Sequence, residues 1–311
     1  MERRQFLHTA LAGGSLIAAS GIANAQEAEK AQLKEDELFG KKFKMKYAPH
    51  AGHFKNHAGA DYFDQMKFAS EVGFTAWEDN FLGRKPPEFQ EKVGKTLADL
   101  GMTMGVFVAQ YPTKEACFAN PTQQQKDEVL QRIKDSLEVA KRVNCTWMTV
   151  VPGNFVNNLE FSYQTANAID LLRRCAEILE PEGKVMVLEP LNPWTNHAGC
   201  FLAKIPHAYE ICRGVNSPSC KILNDLYHQQ IAEGNLIDNY KLAKSEIAYI
   251  QTGDNPGRKE PGTGEINYRN IFKYLHEDGY DGVIGMEHGI SQGGKEGELK
   301  LIKAYRDADN F

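Results

Sequence analysis

A strand-then-helix rhythm that repeats eight times from about residue 44 constrains this chain more than any other feature. The strand candidates are Lys44–Pro49, Phe74–Asp79, Thr103–Ala109, Thr146–Val151, Val185–Glu189, Lys221–Asp225, Ile247–Gln251 and Gly282–Glu287. Each is a short apolar run of the kind that suits a strand buried on both faces. Helical patterns lie between them, at Asp61–Val72, Pro86–Leu100, Gln123–Val143, Tyr163–Leu179, Ile205–Arg213, Gln230–Ala243, Tyr268–Glu277 and Gly297–Ala308. In the longest, Val129, Ile133, Leu137 and Ala140 recur at helical spacing. Eight such units predict an α/β chain closed into a (β/α)8 barrel. An open doubly wound sheet is the alternative, but no GxGxxG follows the first strand to support a dinucleotide site.

The first 25 residues are expected to lie outside that fold. Arg3 and Arg4 precede an apolar segment, Phe6 to Ile22, that ends in Ala23-Asn24-Ala25. A charged start, an apolar centre and a small-x-small end make an export signal, and RRQFL looks like its twin-arginine form. The chain is therefore expected in a bacterial periplasm, with residues 26–43 as a polar leader and 44–311 as one catalytic domain. No other apolar run is long enough to span a bilayer. The net charge is −5 and no basic stripe is interleaved with aromatics, so a nucleic-acid partner is not expected. Oligomeric state stays open. Of six cysteines, Cys145 and Cys175 read as buried thiols, while Cys200, Cys212 and Cys220 are candidates for a bridge.

In such barrels chemistry sits at the C-terminal ends of the strands. By the strand period of two, Val185, Val187 and Glu189 share one face, as do Leu223 and Asp225, Tyr249 and Gln251, and Val283, Gly285 and Glu287. Four consecutive strands thus each aim one polar group from the last position into the barrel mouth. Three carboxylates brought together repel one another and call for a cation. Oxygen donors of this kind suit Mg²⁺ or Mn²⁺. His228, at the turn after Asp225, and His50, at the end of the first strand, are further candidates for the mouth. Glu78 is another, although its side chain is equally open to facing a helix. Trp77 and Trp194 read by default as core. Arg258 lies in a loop stiffened by Pro256, Gly257 and Pro261, where its planar guanidinium matches a small carboxylate.

These residues resemble the xylose-isomerase-like superfamily of metal-dependent TIM barrels, and within it the hydroxypyruvate isomerase branch. The matching strings are VLEPLN at 187–192, DLYHQQIAEGNLI at 225–237, IQTGDNPGRKEPGTGEINY at 250–268 and GYDGVIGMEHG at 279–289. Together with the barrel rhythm, the similarity runs from about residue 44 to 305. The resemblance implies that Glu189, Asp225, Gln251 and Glu287 bind one divalent metal, that Glu189 and Glu287 are the acid/base pair, and that His228 and Arg258 hold the substrate. Related sugar epimerases usually carry His where this chain has Gln251, which favours the hydroxypyruvate branch. The implied reaction interconverts hydroxypyruvate and tartronate semialdehyde by proton transfer through a metal-stabilised enediolate. The alternatives are a periplasmic keto-sugar epimerase or isomerase of the same superfamily, and a non-catalytic sugar-binding barrel.

Overall fold

In the computed structural model, which describes residues 38–311, the strand-helix rhythm is realised as a ring of short parallel strands inside a layer of helices. The strands are β1 (Lys46–Ala48), β2 (Ala76–Trp77), β3 (Thr103–Met104), β4 (Val108–Gln110), β5 (Trp147–Val150), β6 (Val185–Leu188), β7 (Cys220–Asp225), β8 (Ile247–Gln251) and β9 (Val283–Gly285). Seven of them form one sheet in the order β1-β9-β8-β7-β6-β5-β4, and β2 pairs with β3. The small pair fills the gap in the ring. Glu78 N–H donates to Pro49 O at 3.0 Å on one side, and Val108 N–H of β4 donates to Asn80 O at 3.2 Å on the other.

The helices are α1 (Lys55–Ala58), α2 (Tyr62–Val72), α3 (Pro87–Leu100), α4 (Gln123–Arg142), α5 (Phe161–Leu179), α6 (Ile205–Val215), α7 (Leu226–Ala232), α8 (Leu236–Ala243), α9 (Tyr268–Glu277) and α10 (Gly294–Ala308). Local chemistry sets their ends. Thr122 and Gln125 form a reciprocal capping box at the start of α4, and Asp61 accepts from Phe63 N–H and Asp64 N–H to start α2. Among the described residues no helix is long and apolar enough to cross a membrane.

The barrel is filled from the strand faces that period two predicts. Val187, Leu223, Tyr249 and Val283 pack with Ala48, Ala76 and Val106 in one buried cluster. Small alanines on β1 and β2 share this cluster with the large Tyr249 ring. Gly105 completes the fit: a Cβ there would lie 2.3 Å from the Tyr249 hydroxyl.

Three local expectations are corrected. The run Thr103–Ala109 is split into β3 and β4 around Gly105–Phe107, where the backbone changes partners from Trp77 O to Thr149 N–H. The helix expected over Gln230–Ala243 is two helices, with Gly234 (φ +62°) and Asn235 (φ +52°) in the left-handed region between them. The first, α7, starts directly after Asp225, so His228 sits on a helix and not in a turn. The short α1 was not anticipated.

Cysteines 117, 145, 175, 200, 212 and 220 are all free thiols, so no bridge forms among Cys200, Cys212 and Cys220. Trp77 is buried as expected, whereas Trp194 is 76% exposed and not core. The export-signal expectation for residues 1–25, and all but the last residues of the leader, lie outside the described residues.

Candidate active site

Parallel register brings the strand-end groups together. Asp225 and Gln251 are direct neighbours across β7 and β8, and Gln251 is the neighbour of Gly285 across β8 and β9. Glu189 follows β6 by one residue and Glu287 follows β9 by two, so both extend from strand ends into the mouth. Asp225 is fully buried, and Glu189 and Gln251 nearly so. Glu287 stays partly open to solvent.

Arg258 joins these groups. Its Nη2 donates to Asp225 Oδ2 at 2.8 Å and to Glu287 Oε2 at 2.9 Å. The guanidinium lies over the Tyr227 ring, 4.8 Å from its centroid. Burial opposes its charge, but Glu287, Asp225 and Glu189 outweigh burial and raise its pKa further. Asp225 divides its two oxygens. Oδ1 accepts from Tyr227 N–H at 2.8 Å, capping α7, while Oδ2 faces the guanidinium. Glu287 Oε1 accepts from Asn80 Nδ2 at 3.0 Å.

Glu78 points into the barrel, which settles its direction: Oε2 accepts from the Tyr249 hydroxyl at 2.8 Å and Oε1 from Gln251 Nε2 at 2.9 Å. Gly285 leaves the space it needs, since a Cβ there would lie 2.0 Å from Glu78 Oε2. The carboxyls repel one another. Burial first, and then Glu287 and Asp225, push Glu189 well above the ordinary carboxylate range. Burial and Glu287 raise Glu78 to about 8, and burial raises Glu287 to about 7 against the opposing pull of Arg258.

His228 is buried, and its pKa is lowered to about 4 by burial. Its Nδ1 lies 2.7 Å from Asn192 Nδ2, and its Nε2 lies 3.7 Å from Asp225 Oδ2 and 3.9 Å from Glu189 Oε1. His50 stands at the other side of the mouth, lining a cavity of about 390 Å³ with Tyr62, Glu78, Asn80, Lys85 and Glu287. Its Nδ1 bonds to Ala51 O at 2.9 Å. All eight residues singled out from the sequence therefore lie at or just beneath the mouth.

Asn80, Asn192 and Tyr227 were missed. Each lies within a string that already held a candidate: Glu78-Asp79-Asn80, Glu189-Pro190-Leu191-Asn192 and Asp225-Leu226-Tyr227.

The donor set suits a hard divalent cation: carboxylates of Glu189, Asp225 and Glu287, plus Gln251 Oε1, which is buried and has no hydrogen-bond partner. Glu189, Asp225 and His228 also offer ligand atoms within 4.8 Å of one another.

Residues 66–307 match the family described as the xylose isomerase-like TIM barrel. The chain belongs to that family. Among curated proteins, the putative hydroxypyruvate isomerase of Danio rerio is 31% identical over 185 residues, covering 58% of this chain and 67% of that protein. Hydroxypyruvate isomerase of Escherichia coli K12 is 30% identical over 192 residues, covering 61% of this chain and 72% of that protein. The 2-oxo-tetronate isomerase of Pectobacterium atrosepticum is 29% identical over 231 residues, covering 73% and 86%. These relatives are isomerases, the enzyme class that the sequence of this xylose isomerase-like chain predicted. A solved structure described as an AP endonuclease, family 2, from Brucella melitensis superposes with a TM-score of 0.72 at 24% identity, covering 84% of this chain and 99% of that one. At that identity the likeness speaks to the fold.

Proposed function

We propose that this barrel is a sugar-acid isomerase that moves a carbonyl one carbon along a small hydroxy-keto acid, with hydroxypyruvate and tartronate semialdehyde as the leading pair. The observation that carries the proposal is the pairing of Glu189 and Glu287 around one carboxylate-lined mouth with Arg258 between its acids, both with carboxyl pKa values raised above the ordinary range. A carboxyl tuned towards neutrality is a stronger base once ionised and can also return a proton. One glutamate would take the proton from the carbon beside the carbonyl and the other would deliver it to the neighbouring carbon. Glu189, Asp225, Gln251 and Glu287 would hold one Mg²⁺ or Mn²⁺ ion. Such an ion would stabilise the negative charge that develops on the substrate oxygens. Arg258, already inside the mouth, would pair with the substrate carboxylate, and His228 would bond a substrate oxygen.

A four-carbon 2-oxo sugar acid is the second reading. It is supported by the likeness to the 2-oxo-tetronate isomerase of Pectobacterium atrosepticum, and the cavity of about 390 Å³ beside His50 and Glu287 has room for either acid. One experiment separates the two. Purified protein with Mn²⁺ or Mg²⁺ in D₂O, followed by NMR, should incorporate deuterium into hydroxypyruvate, and both Glu189→Gln and Glu287→Gln should abolish it. Exchange confined to the four-carbon acid replaces the substrate and keeps the chemistry. Exchange in neither acid removes the proposal. We also place the mature chain in the periplasm, on the strength of residues 1–25, and fractionation of expressing cells checks this.

A further inference from the structure

The hydrogen bonds around Asn192 leave only one protonation pattern for the imidazole beside it. Asn192 Oδ1 accepts from Thr195 N–H at 2.9 Å and from Asn196 N–H at 3.4 Å. Backbone N–H groups only donate, so the atom facing them must be the amide oxygen and the Asn192 amide cannot be flipped. Its Nδ2 then faces outward with two hydrogens. One goes to Asn196 Oδ1 at 2.9 Å, and the other reaches His228 Nδ1 at 2.7 Å. The Asn192 backbone N–H approaches the same Nδ1 at 3.3 Å. With two donors aimed at it, Nδ1 must be the bare, accepting nitrogen. A hydrogen there would confront both, which excludes the Nδ1–H tautomer and the imidazolium alike.

We propose that Asn192 is a positioning residue that holds His228 as an Nε2–H donor, so that His228 serves the mouth by donating to a substrate oxygen and does not ligate a cation. Nε2–H stands 3.7 Å from Asp225 Oδ2 and 3.9 Å from Glu189 Oε1, both beyond hydrogen-bond length. Its proton is thus poised for an oxygen placed among those two carboxylates. The nitrogen that would be needed to bind a metal carries that proton. The three-residue grouping of Glu189, Asp225 and His228 therefore divides into two ligands and one donor. The substrate role rests on the isomerase reading above; the tautomer does not.

The test uses the full chain labelled with ¹⁵N-histidine. Comparison with His228→Gln assigns the His228 signals, and long-range ¹H–¹⁵N spectra give the state of each nitrogen. In the wild type, Nδ1 should appear bare and Nε2 protonated. Asn192→Asp keeps the oxygen that accepts from Thr195 and Asn196 but replaces the closer, side-chain donor with a carboxylate oxygen against Nδ1, and should move protonation onto Nδ1 although the backbone N–H remains. In the exchange assay the same variant should lower kcat/KM about tenfold or more, while Mn²⁺ affinity read by EPR stays within about twofold. Should Asn192→Asp fail to fold, the wild-type spectrum still decides. A protonated Nδ1 in the wild type overturns the proposal, and so does a tenfold loss of Mn²⁺ affinity in a folded Asn192→Asp chain. Loss of deuterium exchange in the wild type would instead strike the isomerase reading, leaving the spectrum to judge the tautomer.

Discussion

Gly105, like Gly285, is a point where the barrel interior has no room for even a methyl group. Its missing Cβ is the space taken by the Tyr249 hydroxyl, which in turn donates to Glu78, whose other oxygen holds Gln251. One absent side chain on the third barrel position therefore bears on an amide at the mouth. Gly105→Ala should destabilise the fold by about 1–3 kcal/mol, the usual range for overpacking a filled core. The clashing atom is a hydroxyl, so Tyr249→Phe in the same chain should recover part of that loss. Urea unfolding of the single and double variants reads both effects, and an unshifted midpoint in Gly105→Ala would refute the packing argument. At this scale the sequence reading reached the strand-borne groups, because period two fixes where a strand side chain points. It did not reach Asn80 or Asn192, because a loop residue has no such period and its partners depend on the path of the chain.

Among the elements, α6 carries a group that titrates against the fold. His207 packs on Phe161 and Phe201, and its Nε2 meets Thr165 Oγ1 at 3.0 Å. Burial lowers its pKa from 6.5 to about 4. As pH falls below 6.5 the unfolded chain takes a proton at this ring before the folded chain does, so stability declines across the window down to about 4. His53, His228 and His288 are lowered as well and act in the same direction. His207→Gln should therefore flatten the fall in urea midpoint between pH 7 and 4 without abolishing it, and an unchanged slope would exclude His207 as a contributor. The elements also show where sequence patterns stop informing. The apolar spacing in Gln230–Ala243 reads as one helix because the break around Gly234 and Asn235 costs only three residues. The earlier start of α7 hides behind a strand residue, Asp225, that doubles as a helix cap.

For the whole molecule, the ring order and the gathering of four strand ends were legible, because eight short apolar runs separated by helices leave few ways to close a chain. The split of β3 from β4 was not, since it lies in the backbone hydrogen bonds around Gly105–Phe107, which no side-chain pattern marks. The free state of all six cysteines predicts that alkylation in denaturant without reductant labels six thiols per chain; fewer would reveal a bridge. Asp225 has one oxygen on the first turn of α7 and the other on Arg258. The first turn of that helix and the filling of the mouth are then a single equilibrium seen from two ends. Whatever draws on Oδ2 also holds the start of α7 in place, and whatever frays α7 slackens the mouth. Hydrogen exchange at the Tyr227 amide then becomes a gauge of occupancy that needs no substrate turnover.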